Sequence, residues 1–441
     1  MSSEYKEVYG EVETPLFFVE KMFNMIPKEI FKNKELKWLD VGCGNGIFSM
    51  YLYHVLFKSL EDIITNPEKR KSHIIENMIY MVEINDVYEL DIIYYFGNKA
   101  NLYIKDFLDY LDLPKIDIII GNPPFNRNSI KKVPTNKVKK KTNDGHTIWV
   151  DIIKKSLRIL NENGYLLTII PCIWMKPDKA SMYQTITQYK INILKTLSGN
   201  KANQVFKKQA QTPCSYFLLQ KKPTDGIIPI YDEEKKNIVN YNFLPNYPIP
   251  IYGATVINKL KKYVVAYGHL KVNKTNDISK KCRINDTKSE EFINPNIHTC
   301  HLKGLDPKLV IKYSDIPCSY FAIPKIVMAH GMYGFPFYDP SGNYGISNRD
   351  KFVIFNKTQE EFKILFEFLN TKLARYLFEA TRYRMKYLEK YIFELIPNIC
   401  NLPELPLKIN DETMADYFKL NKLERFHVNH LHKKQYNSFS F

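Results

Sequence analysis

Between residues 15 and 220, six short apolar runs recur, "LKWLDVG", "MIYMVEI", "NLYIKDF", "IDIIIGN", "GYLLTIIP" and "SYFLLQK", each flanked by a polar or glycine-containing end. Segments such as "HTIWVDIIKKSLRILNENG" lie between them with apolar positions at helical spacing. Strands alternating with helices predict a mostly parallel sheet covered on both faces, an α/β fold. Ligands in such sheets bind beyond the C-terminal ends of the strands, where the polar residues of these runs fall. After "KKPTDG" the texture shifts to Pro, Tyr, Asn and Lys with weaker periodicity, so one domain is expected over 1–224 and a second over 225–441. In the second, "NKTQEEFKILFEFLNTKLARYLFEATRYRMKYLEKYIF" predicts a helix opened by a capping box of Thr358 and Glu361.

A chain of 441 residues is long enough for two cores. Its seven cysteines form no C-x-x-C pair, which argues against a structural zinc site or a disulfide framework. No apolar run reaches the ~18 residues of a membrane span, and "MSSEYKEVYGE" is too polar for a signal peptide, so an intracellular, cytoplasmic protein is expected. The net charge of +16, with 31 Tyr and 27 Phe, fits a nucleic-acid partner through phosphate neutralisation and base stacking. An AT-rich genome would raise Lys, Asn, Ile and Tyr as well.

Four strand ends carry the residues suited to chemistry. "LDVGCGNG" places Asp40 before Gly42, Gly44 and Gly46, a turn whose backbone can approach a ligand closely, a dinucleotide included. "MVEIND" ends in Glu83, an acceptor for a ribose diol or a solvated strand end. "IKDFLDYL" supplies Asp106, which can accept from the amino group of an adenine or cap a helix. At the fourth end, "IGNPPF", two prolines fix the backbone so that the Asn122 oxygen and the Pro123 carbonyl converge on a small donor such as an amino group. Phe125 beside them offers a flat apolar face to a planar ring.

With these ends in this order, the chain resembles the S-adenosylmethionine-dependent amino methyltransferases. Among them it is most similar to the N6-adenine DNA methyltransferases of restriction-modification systems, which carry a target-recognition domain at the C-terminal end. The likeness covers residues 1–220 well and the rest loosely. It implies a Rossmann-like methyltransferase domain with a mostly parallel sheet and a C-terminal α+β target-recognition domain. "YGEVETPLFFVEKM" resembles the N-terminal motif of the family, which implies that Thr14 and Pro15 line the cofactor site. By the same resemblance Asp40, Gly42, Gly44 and Gly46 cradle the amino-acid part of S-adenosylmethionine, Glu83 the ribose and Asp106 the adenine. Asn122, Pro123, Pro124 and Phe125 match the catalytic motif, and "NQVFKKQAQTPCSYFLLQ" looks like the later motif with a second stacking aromatic, Phe206.

The implied partner is double-stranded DNA, with a separate cognate restriction endonuclease as a further candidate. Only nine residues precede Gly10, so no nuclease segment is expected ahead of the motif. "RNSIKKVPTNKVKKK" places Arg127, Lys131, Lys132, Lys139, Lys140 and Lys141 just after the catalytic turn, where they suit phosphate contact. In the second domain, "MYGFPFYDPSGNYGISNRDKF", with Arg349, reads as strand, turn, strand, and "TRYRMKYLEK" puts Arg382 and Arg384 on a helix, both suited to DNA contacts. His427, His430 and His432 fall in a polar tail, and no metal site is expected. Enzymes that methylate an adenine or guanine amino group in RNA share the core, as do those acting on a glutamine of a release factor. The basic second half weighs against the protein substrate.

Overall fold

The computed structural model describes residues 12–126, 147–178, 180–207, 212–233, 235–275, 282–303, 306–329, 336–348, 351–384 and 388–430. They divide into two compact units, Met1–Tyr231 with Asn237–Phe243, and Asp232–Lys236 with Leu244–Phe441.

The first unit is built on one nine-stranded sheet. Its strands are β1 (Trp38–Val41), β2 (Ile79–Glu83), β3 (Asn101–Ile104), β4 (Ile116–Gly121), β5 (Leu160–Pro171), β6 (Tyr189–Leu197), β7 (Cys214–Pro223), β8 (Ile227–Asp232) and β9 (Asn237–Asn242). The order is β3-β2-β1-β4-β5-β7-β6-β8-β9. β1 to β5 run parallel to one another, whereas β7 is antiparallel to both β5 and β6. The six apolar runs are β1 to β5 and β7. Most of them are buried along their length, as in β1 and β2, and helices cover the faces.

Helix α1 (Leu16–Phe23) inserts Phe18, Val19, Met22 and Phe23 into the main core, and α2 (Ile47–Ser59) adds Phe48, Leu52 and Leu56. The polar stretch between β1 and β2 holds α3 (Pro67–His73), whose N-cap Asn66 accepts from the Lys69 N–H at 2.9 Å. The chain then passes through α4 (Glu89–Phe96) and α5 (Trp149–Ile159), the amphipathic segment before β5. From β1 the chain moves outward to β2 and β3, then returns past β1 to form β4. The strand order therefore reverses between β1 and β4, the place where open α/β sheets form a ligand crevice.

The second unit combines helices with two four-stranded sheets. One joins β10 (Asn273–Lys274), β17 (Lys351–Phe355), β14 (Lys325–Ala329) and β15 (Phe337–Asp339); the other joins β11 (Ile284–Asn285), β13 (Asp306–Ser314), β12 (Asn294–Lys303) and β16 (Gly345–Ile346). Ile297 of one sheet and Val327, Phe337 and Val353 of the other share a small core with Ile346. The strand, turn, strand expected over 332–352 is present among its described residues. A turn does follow Asp339, but β15 pairs with β14, whereas β16 pairs with β12 in the other sheet. At the turn, Asp339 is buried against Lys325 at 2.6 Å and also accepts from the N–H groups of Asn343 and Tyr344 at 2.9 and 3.0 Å.

The long C-terminal helix is also broken. Thr358 and Glu361 form the expected capping box, but the helix stops at Leu369, and Thr371 caps a second, Lys372–Ala380. Arg382 and Arg384 therefore lie beyond a helix end rather than on a helix. Beyond Ala380, Tyr383 is fully buried and donates its hydroxyl to the Ile249 carbonyl at 2.6 Å. Arg382 pairs with Glu379 at 2.8 Å and Arg384 with Glu389 at 3.6 Å.

Candidate active site

Because β1 to β4 are parallel, their C-terminal ends share one edge. Asp106, Glu83, the glycine turn and Asn122 follow in that order from β3 to β4. At about 4.8 Å between strands, the row spans about 14 Å.

The glycine turn is held by main-chain bonds. The N–H groups of Gly42 and Cys43 donate to the Val82 carbonyl at 2.9 and 3.1 Å, and Gly46 N–H returns to the Cys43 carbonyl at 2.9 Å. Gly42, Gly44 and Gly46 all adopt positive φ, at 67°, 52° and 80°, which glycine reaches without strain. Glu83 closes the loop. One carboxylate oxygen, Oε2, accepts from Gly44 N–H at 2.7 Å, and Oε1 accepts from the N–H groups of Ile84 and Asn85 at 3.0 and 2.9 Å. Asp106 accepts from the Leu108 N–H at 2.9 Å, a turn closed by the residue itself.

Asp40 is 1 % exposed. Its Oδ2 accepts from the Ser49 hydroxyl of α2 at 2.7 Å, while Oδ1 is buried with no hydrogen-bond partner among the described residues. Ser49 is a residue that sequence reasoning missed: a serine near the start of a helix carries no local signal of a partner on a strand. Burial, opposed by the Ser49 hydrogen bond and aided by the Glu83 charge, raises the Asp40 carboxyl from 3.8 to about 7. The folded chain then binds a proton that the unfolded chain releases. The stability this proton contributes is complete below about pH 4 and lost as pH rises through about 7. Replacing Asp40 by Asn is expected to flatten that decline, so urea midpoints of the two proteins should diverge between pH 5 and 7. Parallel curves would contradict it.

The turn that carries Asn122 leaves β4 through Gly121, at φ 148°. Asn122 Nδ2 donates to the Thr14 hydroxyl oxygen at 3.1 Å and to the Val12 carbonyl at 3.4 Å. Pro124 lies close to the glycine turn: a Cβ built on Gly42 would sit 3.6 Å from its Cδ. Pro15 begins α1, its carbonyl accepting from Phe18 N–H at 2.8 Å. The structure thus gathers Thr14, Asp40, the three glycines, Glu83 and Asn122 at the crevice. Phe125 is partly buried against the main core, and its carbonyl accepts from Ile148 N–H at 3.2 Å.

Phe206 is placed differently from an open stacking face. It is 2 % exposed, edge-on to Phe18 with ring centroids 5.6 Å apart. Arg127, Lys131, Lys132, Lys139, Lys140, Lys141, Arg349 and His432 lie outside the described residues. Among the described residues no group of His, Cys, Asp and Glu is arranged to hold a metal, and no helix is long and apolar enough to cross a membrane.

The chain is similar to several known proteins. Residues 47–206 match the model of the Eco57I restriction-modification methylase family. A curated relative, the ribosomal RNA small subunit methyltransferase G of Malacoplasma penetrans (strain HF-2), is 27% identical over 97 residues, which are 22% of this chain and 38% of that protein. The chain therefore spans about two fifths of the length of this relative. Among solved structures, a class I S-adenosylmethionine-dependent methyltransferase from Listeria monocytogenes is similar at 19% identity and a TM-score of 0.35, over 49% of this chain and 65% of that one. The Type IIL restriction-modification enzyme MmeI, solved in complex with DNA, is similar at 12% identity and a TM-score of 0.47, over 91% of this chain and 69% of that one. On the matched residues, which include the Asn122 turn, the chain is similar to the Eco57I restriction-modification methylases, a likeness that supports an S-adenosylmethionine-dependent methyltransferase domain.

Proposed function

We propose that this protein methylates the N6 amino group of an adenine flipped out of double-stranded DNA, at a site read by the second unit. The observation that carries the reading is the state of Asn122. Both hydrogens of Nδ2 are directed to the Val12 carbonyl and the Thr14 hydroxyl, and no described residue donates to Oδ1. The side chain can therefore serve a substrate only as an acceptor, which selects a donor such as an amine. The Pro123 carbonyl, likewise without a described donor, is the second acceptor.

The lone pair of an aromatic amine is delocalised into its ring, which makes it a poor nucleophile. Two acceptors on its hydrogens favour a more tetrahedral nitrogen and direct the lone pair along one line. S-adenosylmethionine supplies the electrophilic methyl group when bound. The methylated nitrogen is strongly acidic, so its proton can leave to solvent and no dedicated base is needed. An adenine stacked in a duplex cannot reach the turn, so it must be flipped and held on an aromatic face, for which Phe125 is the candidate. Phe206 would serve as a second face only on leaving its contact with Phe18.

The cofactor suits the donor set along the strand ends. The orphaned Oδ1 of Asp40 suits an ammonium group, Glu83 a ribose diol and Asp106 an adenine amine. The glycine turn leaves room for the chain between them. For the nucleic acid, the basic run after Phe125 is assigned to phosphate. Arg382 and Arg384, already paired with Glu379 and Glu389, are weaker candidates than the basic run.

The test is to incubate the protein with methyl-labelled S-adenosylmethionine and, separately, unmethylated plasmid DNA and bulk RNA. Label in the DNA is expected. Label confined to RNA would overturn the substrate and favour a second reading, RNA-base methylation, which the name of the curated relative keeps in view.

A further inference from the structure

We infer that Thr14 is a positioning residue whose hydroxyl fixes the rotation of the Asn122 side-chain amide, so that Oδ1 faces the target amine. The inference rests on the proposed role of Asn122 and deepens it.

The orientation of an amide is ambiguous where both neighbours can donate and accept. Here the ambiguity is resolved by Val12, because a backbone carbonyl can only accept. The group 3.4 Å from it must be Nδ2, and the second Nδ2 hydrogen then points to Thr14 Oγ1 at 3.1 Å. With both hydrogens engaged, Oδ1 has one direction left. The amide torsion of Asn is otherwise broad and roughly two-fold, so an unheld side chain would present its NH2 and its oxygen to the substrate interchangeably. An NH2 facing an amine offers a donor to a donor.

Both ends of this contact are rigid. Asn122 follows a buried central strand, and Thr14, 5 % exposed, precedes Pro15 at the start of α1, four of whose side chains are buried in the core. The hydroxyl thereby transfers the rigidity of α1 to an atom of the catalytic turn. The two residues are 108 positions apart in sequence. The role differs from lining the cofactor site, which the resemblance assigns to Thr14, and the two can be separated by experiment.

The experiment compares Thr14→Val, which keeps the shape and removes the acceptor, with Thr14→Ser, which restores it. Turnover on unmethylated duplex DNA, calorimetric affinity for S-adenosylmethionine and the side-chain NH2 resonance of Asn122 are measured for each. The resonance is identified in selectively Asn-labelled protein by its disappearance in Asn122→Ala. For Thr14→Val, kcat is expected to fall about tenfold, the loss of one hydrogen bond acting through position. Cofactor affinity should stay as in the unaltered protein, the resonance should shift, and Thr14→Ser should recover both. Weaker cofactor binding with unchanged kcat would overturn the inference and make Thr14 a cofactor contact. An unmoved resonance in Thr14→Val would also overturn it. Should the unaltered protein transfer no methyl to DNA, the functional reading falls while the resonance still decides the orientation.

Discussion

Replacing Asn122 by Ala is expected to lower methyl transfer to DNA about 10²–10³-fold, the usual loss when one preorganised hydrogen-bonding group is removed from a transition state. The affinity for S-adenosylmethionine should be unaffected. The expectation follows from the division of labour within the side chain: Nδ2 is held by Val12 and Thr14, and Oδ1 is left to the substrate. Alanine removes the acceptor where the lone pair must be localised, so kcat falls rather than binding. Asn122→Asp separates the two functions. It supplies oxygen acceptors but sets one against the Val12 carbonyl, so activity should lie between that of Ala and Asn. Rapid-quench assays at saturating DNA and cofactor would measure the chemical step. Equal rates for Asn122→Ala and the unaltered protein would remove the turn from the mechanism.

Gly121→Ala should be among the most damaging single changes in the first unit. Gly121 closes β4 at φ 148°, a conformation that L side chains rarely adopt, and an added Cβ would lie 2.8 Å from the Val41 carbonyl oxygen. The contact is with backbone, which cannot rotate aside, so β1 and β4 would have to separate at the crevice. Backbone strain and overpacking together cost about 2–5 kcal/mol, which should lower the Tm by about 5–15 °C. Because Asp40 pairs with Ile120 across the same two strands, cofactor affinity should fall in parallel. A melt and a binding titration read both effects, and an unchanged Tm would show that β1 and β4 accommodate the side chain. Gly42→Ala is the useful contrast: its Cβ would meet Pro124 at an ordinary 3.6 Å, leaving only the strain of a positive φ.

What could be read from the sequence was set by burial. β1, β2 and β4 are buried almost throughout, and such strands appear as continuous apolar runs with functional residues at their ends. β6, "YKINILKTL", lies beyond the antiparallel β7 and interleaves Lys and Asn with its apolar residues, so it matched neither pattern. The break after Leu369 was hidden for a different reason. Phe, Leu, Ala and Tyr continue at helical spacing across it, although Thr371 caps a new helix there by accepting from the Ala374 N–H. Within the site, residue types at strand ends were legible, but their partners were not. Ser49 against Asp40, Glu83 against Gly44 and Thr14 against Asn122 are contacts across the fold, and nothing in local sequence records them. Phe206 shows the converse, an aromatic whose motif suggests a site but which packs at 2 % exposure in the core.

The most direct test of the assigned chemistry is the identity of the methylated atom. Unmethylated plasmid DNA treated with the protein and S-adenosylmethionine would be digested to nucleosides and analysed by mass spectrometry, beside a sample treated with Asn122→Ala. N6-methyldeoxyadenosine that disappears with the variant is expected. A methylated cytosine instead, or N6-methyldeoxyadenosine formed equally by the variant, would contradict the assignment of Asn122 to an adenine amino group.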